Sequence, residues 1–241
     1  MLKIGCLIIV MKILVITSAC STERFSMNQL VHTGEWCPNF VSDLRLQNNA
    51  GIFGNDIFYG DYLILDRVGQ IRFLNLHDRE ISRIEGINYF SSLEFLRVDS
   101  TELVEVDLSN NVVLVRLEIW ASQLAELDIS RNYMLRVLHI WNSNLTQIDI
   151  SNNQELAGLY ILNSRMTTLD LTHNSSLRWL EVRGNHLTGL DVSNNHLLDW
   201  LNVSFNNIYS LDDVVGWEAI GLELLPENEI DGGNFVFFPQ S

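Results

Sequence analysis

One pattern returns at a constant step through the middle of the chain, and it constrains the fold more than any other feature. Its clearest marker is a run of a hydrophobic residue, an aspartate, a second hydrophobic residue and a hydroxyl residue, with aspartates at Asp107, Asp128, Asp149, Asp170 and Asp191. A second marker, Leu-x-Val or Leu-x-Ile, keeps the same step, with leucines at Leu96, Leu117, Leu138, Leu159, Leu180 and Leu201. Two independent columns with one spacing and no insertion predict a solenoid of stacked coils.

The repeat resembles the leucine-rich repeat. The unit from Leu177 to Asn195 reads LRWLEVRGNHLTGLDVSNN and is similar to a bacterial 21-residue subclass with the pattern LxxLxLxxNxLxxLDLxxNxx. The resemblance covers roughly residues 70 to 225. It implies a leucine-rich-repeat solenoid, a curved right-handed coil with a parallel concave β-sheet of about eight strands, short turns and little helix, and it favours a protein or peptide ligand.

One column departs from that pattern. Where the subclass has asparagine, this chain has hydroxyl residues in four successive units before asparagine returns, in the order Thr101, Ser122, Ser143, Ser164, Asn185, Asn206. A hydroxyl offers one donor where an amide offers two. We therefore expect a poorer hydrogen-bond ladder, and a less rigid array, in the first four units.

Leucines alternate with polar or aromatic residues inside each unit, so one set faces inward and the other outward on a strand. Strands about 4.8 Å apart would make a concave wall roughly 34 Å long from eight strands. Four of the six tryptophans fall on its outward rows, as two neighbouring pairs. The candidate ligand-binding residues on these rows are Trp120, Trp141, His139, Tyr160, Trp179, Trp200, Arg97, Glu118, Glu181 and Arg183.

Two alternatives stay open for these residues. Neighbouring indoles also stack simply to stabilise a sheet face, for about 0.5 to 1.5 kcal/mol per pair. The Arg97–Glu118 and Glu181–Arg183 pairs orient a polar ligand or merely neutralise each other. A concentration of aromatic residues on one wall is nevertheless typical of a binding surface.

Charge and cysteine content exclude several classes of function. The formal net charge of −15 would repel phosphate backbones and anionic lipid surfaces, so we expect neither nucleic-acid binding nor electrostatic membrane binding. Three irregularly spaced cysteines predict neither a disulfide framework nor a zinc cluster. The aspartate column lacks the glycine-rich turns of calcium-binding solenoids, and the resemblance implies aspartates without metal. We predict no cofactor and no metal.

An enzyme is also disfavoured. Glu118 and Glu181 lie three coils apart, roughly 14 Å, whereas a glycosidase pair needs about 5 to 9.5 Å. His139 has no serine or cysteine beside it to act as a nucleophile. Neither a glycine-rich phosphate loop nor an HExxH motif occurs.

The first 19 residues predict an export signal. Lys3 precedes an apolar run, and small residues lead to Cys20, which resembles the acylated cysteine of a bacterial lipoprotein. Lys12 interrupts the run and Thr17 stands where that motif prefers leucine, so ordinary secretion and an uncleaved anchor remain alternatives. We expect an exported, lipid-anchored monomer at the outer membrane or cell surface.

The remaining boundaries follow from where the repeat begins and ends. Residues 20–36 are predicted to be a tether, 37–70 an N-terminal cap, 71–225 the solenoid and 226–241 a C-terminal cap. Leu222–Leu224 follows Leu201–Val203 at the same step and is predicted to form the next strand. Together these features predict a non-enzymatic binding module of the bacterial envelope that recognises a protein or peptide through its concave aromatic face. The alternatives are a glycan ligand and a structural spacer without a ligand.

Overall fold

The computed structural model describes residues 30–34, 38–53, 57–59, 62–76, 80–99, 102–225, 235–238 and 240. The predicted signal segment, the lipidation site Cys20 and Cys37 lie outside the described residues. Among the described residues, no helix combines the length and the apolar character needed to cross a membrane.

The N-terminal region begins with a small antiparallel sheet and two helices. Its elements are β1 (Leu30–His32), α1 (Pro38–Asn49), β2 (Phe58–Tyr59), β3 (Tyr62–Ile64) and α2 (Leu65–Val68), with sheet order β1-β3-β2. Proline suits the first position of α1 because its missing N–H has no helical partner there. Phe40 and Leu44, one turn apart, are fully buried. The Gln47 amide donates to the Asn75 carbonyl at 2.6 Å and so covers the edge of the first solenoid strand.

Strand β1 lies inside the segment predicted to be a tether. Leu30, Val31 and His32 pair with Ile64, Leu63 and Tyr62 of β3. Three residues are too few to show a period in the sequence, so this part of the predicted tether is corrected to a strand of the small sheet.

Eight parallel strands make the main sheet. They are β4 (Phe73–Leu76), β5 (Phe95–Asp99), β6 (Arg116–Trp120), β7 (Val137–Trp141), β8 (Gly158–Leu162), β9 (Trp179–Glu181), β11 (Trp200–Asn202) and β13 (Phe235–Val236). A separate parallel pair joins β10 (Leu190–Asp191) to β12 (Val214–Val215), and short 3-10 helices cover Ile87–Tyr89 and Leu211–Asp213. Strand order in the main sheet follows the chain from β4 to β13.

The constant step of the sequence repeat becomes lateral register in the sheet. Leu117 pairs with Leu96 on one side and with Leu138 on the other, and the same row continues through Leu159, Leu180 and Leu201. All six leucines are fully buried. Each coil covers the apolar edge of the next, so the core runs the length of the array.

A column of buried asparagines ties each coil to its predecessor. In Asn132, for example, the amide nitrogen donates to the carbonyls of Leu108 at 3.2 Å and Asn111 at 2.9 Å. The same pair of hydrogen bonds, to the carbonyls of the residues 24 and 21 positions earlier, recurs at Asn111, Asn153, Asn174 and Asn195. We call these five residues the asparagine ladder.

Thr101 lies outside the described residues. The described members of the hydroxyl column make fewer bonds than the asparagines, as predicted, but they do not carry the array alone. Ser143 and Ser164 share one hydrogen bond of 2.8 Å, whereas Asn185 donates to Ile161 and Val182 and accepts from the Met166 N–H. The asparagine ladder runs through these same coils and supplies the paired donors that the hydroxyl residues lack. The expected loss of rigidity is therefore offset by a second column.

A left-handed turn follows each of the strands β6, β7, β8, β9 and β11. Residues at positive φ recur at the step of the repeat, at Ala121, Asn142, Asn163, Gly184 and Phe205. We call these five residues the turn column. A Cβ on Gly184 would overlap the Asn163 side chain, so glycine is required there for space as well as for its φ of 69°.

The last strand is not the predicted one. Leu222–Leu224 was expected beside β11, but β13 takes that place, pairing Phe235 with Leu201, while Leu224 bridges to Phe235 on its outer side. Between β11 and β13 the chain departs from the repeat, first through the 3-10 helix Leu211–Asp213 and then through β12. The fully buried Phe235 ring, 5.2 Å from that of Trp217, closes the core instead.

Candidate functional site

The concave face is the outward surface of the eight-stranded sheet. One tryptophan pair lies at the edge formed by the C-terminal ends of the strands. Trp120 and Trp141 are register partners on β6 and β7, and their rings meet edge to face at 5.2 Å. The Arg97 guanidinium lies 4.4 Å from the Trp120 ring centre, within the range of a cation–π contact. Both indole N–H groups are buried without an acceptor among the described residues.

His139 and Tyr160 extend this cluster toward the middle of the sheet. The His139 ring lies 5.2 Å from Trp120 and 5.4 Å from Tyr160. Burial lowers the pKa of His139 and raises the pKa of Tyr160, because both charged forms lose hydration. Both residues are therefore held as neutral rings at physiological pH.

Gly158 lets the Tyr160 ring lean toward the N-terminal end of its strand. A Cβ on Gly158 would stand 2.9 Å from Tyr160 Cε2 and 3.5 Å from its hydroxyl. Gly158 is also the register partner of Trp179 on β9. The tyrosine ring thus covers the Gly158 position next to Trp179, a feature for which the outward rows alone give no signal.

The second tryptophan pair lies at the opposite edge of the sheet, formed by the N-terminal ends of the strands. Trp179 and Trp200 are register partners on β9 and β11, and Trp179 is 43% exposed. The Trp200 indole donates to Glu181 Oε1 at 3.2 Å, which fixes its ring. Within the described residues, no ring contact joins Trp179 to Trp200.

These rings form one diagonal band, which we call the aromatic stripe: Trp120, Trp141, His139, Tyr160, Trp179 and Trp200. It crosses four strand spacings and descends four residues, which makes it about 23 Å long for a flat sheet. The rings lie on the outward rows, but the two tryptophan pairs are about 16 Å apart and not side by side. Leu162, on the outward row between them, is buried.

Two arginines share one buried carboxylate beside the stripe. The Arg116 guanidinium donates to Glu118 Oε1 at 2.6 Å through Nε and contacts the same oxygen through a second nitrogen. Arg97 Nε lies 3.8 Å from the other oxygen. Glu118 is 4% exposed. The predicted pairing of Arg97 with Glu118 is therefore present but is the weaker of the two.

The other predicted pair does not form. Among the described residues no ion pair joins Glu181 to Arg183, and the Glu181 carboxylate accepts a hydrogen bond from Trp200. Arg183 follows the strand and leads into the turn at Gly184. Glu181 thus positions an aromatic ring.

The aspartate column is satisfied by its own backbone. In each unit the aspartate Oδ1 accepts from the N–H two residues later at 2.9 to 3.0 Å, as Asp107 does from Ser109. The hydroxyl and the N–H of that residue lower the pKa of the aspartate, since both stabilise the carboxylate. Backbone donors therefore offset the repulsion expected between neighbouring aspartates.

A cleft of about 410 Å³ lies away from the concave face. Its lining includes Arg83, Gly86 and Asn88, and Arg83 pairs with Glu105 at 2.8 Å. This cleft contains no residue of the aromatic stripe, so the suitability of the concave face for binding rests on its exposed rings.

No protein-family model matches this sequence, and no curated protein matches it significantly. Among solved structures, the chain is similar to the functional domain of InlJ from Listeria monocytogenes, which includes a cysteine ladder, with 28% identity, a TM-score of 0.55 and coverage of 76% of this chain and 45% of that one. It is also similar to internalin C2 from Listeria monocytogenes, with 19% identity, a TM-score of 0.60 and coverage of 73% and 77%. The chain thus spans less than half of the first of these structures. Its fold is the leucine-rich-repeat solenoid of these bacterial neighbours.

Proposed function

We propose that the protein is a non-enzymatic binding module that recognises a protein or peptide through the aromatic stripe. The observation that carries this proposal is a band of six aromatic side chains about 23 Å long on the outward rows, of which Trp120, Trp141, His139 and Tyr160 are in ring-to-ring contact. Rigid aromatic side chains bury large areas at little entropic cost and dominate the energetics of protein interfaces. The similarity to internalin structures supports a protein-interaction role.

The second tryptophan pair favours binding over packing alone. Trp179 is 43% exposed and, within the described residues, forms no ring contact with Trp200. A pair that served stability alone would bury both rings.

The same geometry supports a role without catalysis. Glu118 is held by two arginines, and His139 lies between two aromatic rings. Proton transfer needs an acid or base within hydrogen-bond reach of a substrate, and both candidates are engaged elsewhere.

The test is affinity purification from native surroundings with three forms of the folded chain. We expect a specific protein to be retained by the wild type and by Tyr209→Ser, which removes an aromatic ring that is 88% exposed outside the stripe. Trp179→Ser combined with Trp200→Ser should weaken that partner's binding at least about tenfold. Equal retention by all three forms would refute recognition through the stripe.

A glycan is the second candidate, because the hydrogen bond to Glu181 fixes the Trp200 indole and sugar C–H faces stack on indole. Glycan-array binding that is lost in Trp141→Ala or Trp200→Ala would favour it.

A structural spacer predicts that serine at all four tryptophans lowers stability and leaves every cellular phenotype intact.

We also propose that the chain is exported and anchored through an acylated Cys20. The basic start, apolar run and small residues before Cys20 support this. Mass spectrometry of the mature N terminus should find lipid on Cys20, and an unmodified or uncleaved terminus would refute the anchor.

A further inference from the structure

We propose that Arg97 and Arg116 form an anion-recognition subsite of the concave face. This subsite takes an acidic side chain of an extended peptide whose apolar side chains contact the aromatic stripe. The inference rests on the proposed function, which it deepens by naming the chemistry of the ligand.

The arginines present more charge than their shared partner neutralises. Glu118 is buried, while the Arg116 and Arg97 side chains are 50% and 30% exposed. One carboxylate balances one guanidinium, so the surface of this cluster carries an excess positive charge above a buried negative one. Two other arginines differ, since Arg72 has its own Glu94 and Arg178 its own Asp199, each at 2.6 Å. Arg183 forms no ion pair with Glu181 among the described residues, but it has no second arginine beside it on the neighbouring strand.

The remaining acidic residues near the cluster form no ion pair with Arg97 or Arg116 among the described residues, although Asp99, two residues from Arg97 on β5, offsets part of this charge through space. Asp99 ends β5, and within the described residues no ion pair joins it to Arg97 or Arg116. Glu181 lies three strands from β6, about 14 Å away, and accepts from Trp200. The net charge of −15 is spread over the whole chain, and at physiological ionic strength charges beyond about 8 Å are largely screened.

The position of the subsite predicts the spacing in the ligand. Arg116 and Trp179 stand in the same outward row, separated by three strand spacings or about 14 Å. Between them lie Val137 and the Gly158 step covered by the Tyr160 ring. An extended peptide advances about 3.3 Å per residue, and residues four apart point the same way. We therefore expect an acidic residue and an apolar or aromatic residue four positions apart.

A phage-displayed library of random twelve-residue peptides, selected on the purified chain, tests this. Peptides selected on the wild type should be enriched in Asp or Glu four positions from an apolar residue. Selection on Arg116→Glu should enrich Lys or Arg at that position instead. Arg83→Glu is the matched control, since its side chain is 55% exposed and lies outside the concave face, and it should select the wild-type motif.

A milder variant keeps the result interpretable if Arg116→Glu, which places a second carboxylate beside Glu118, unfolds. Arg116→Gln should weaken binding of a selected peptide at least about tenfold at roughly physiological salt, with far-UV circular dichroism unchanged. Peptides that lack acidic residues, yet lose binding in Trp179→Ser, would overturn the subsite and leave the proposed function standing. No enrichment on the wild type above an unrelated protein would overturn both.

Discussion

At the scale of single residues, the turn column places an alanine where the backbone favours glycine or asparagine. Ala121 has a φ of 51°, a conformation that costs a residue with a Cβ roughly 1 to 2 kcal/mol. Glycine removes that cost, but its greater conformational entropy in the unfolded chain lowers the stability of the folded state by about 0.4 to 1 kcal/mol. We expect Ala121→Gly to raise the free energy of unfolding by about 0.5 to 1 kcal/mol in urea denaturation.

The matched control is Ala157→Gly, because Ala157 is also half-buried but lies outside the left-handed region. This control should lower the free energy of unfolding by a similar amount. A loss of stability in both variants would contradict the explanation by backbone strain.

His139 should make stability depend on pH. Burial lowers its pKa below the usual value of 6.5, so the unfolded chain takes up the proton at a higher pH than the folded one. The stabilisation is complete above about pH 6.5 and is lost as the pH falls through the lowered pKa. His139→Gln should flatten the decline in unfolding free energy between about pH 7 and 5, and the exposed His196→Gln should not. Identical pH profiles for the two variants would refute this assignment.

At the scale of the repeating element, the asparagine ladder should matter more than the hydroxyl column. Asn153→Ala removes two buried hydrogen bonds to the preceding coil and should lower the free energy of unfolding by about 2 to 3 kcal/mol. Ser143→Ala removes the 2.8 Å hydroxyl bond to Ser164 and a long, weak bond of 3.4 Å from the Leu145 N–H, and it should cost about 1 kcal/mol. Urea denaturation of the two variants measures both, and an equal or larger loss for Ser143→Ala would show that the hydroxyl column carries the register.

The elements also show which features a sequence reveals. The strands from β5 to β9 and β11 were predictable because each repeats a period of two at one constant step along the chain, and the leucine rows then force register. The places of β1 and β13 were not predictable, because each pairs through two or three residues outside the repeat. Within the candidate site, the outward orientation of the tryptophans followed from the alternation of leucines with polar or aromatic residues along each strand. The lean of Tyr160 over Gly158 and the Trp200–Glu181 bond depend on side-chain rotamers that no spacing specifies.

At the scale of the whole molecule, the coils should behave as removable units. Deleting positions 142–162 removes one full repeat unit and joins Trp141 to Asn163, which restores an asparagine to the turn column. We expect this variant to fold, with circular dichroism like the wild type and cooperative unfolding. Deleting positions 143–162 leaves Asn142 of that unit behind and shifts every following side chain by one place, so apolar residues would turn outward and the protein should not fold. Equal folding of the two variants would show that register is not what holds the array.

The diagonal course of the aromatic stripe makes the proposed recognition more sensitive to coil number than folding is. One unit added between Trp141 and Trp179, or the loss of the unit that carries Tyr160, leaves each tryptophan on its own strand but changes the offset between the two tryptophan pairs by one strand spacing, about 4.8 Å. A partner whose contact sites match the original distance between the two tryptophan pairs would then contact only one pair. Whole-unit duplication or loss in the gene would thus change what the protein binds in a single event, while the architecture that displays the rings stays intact.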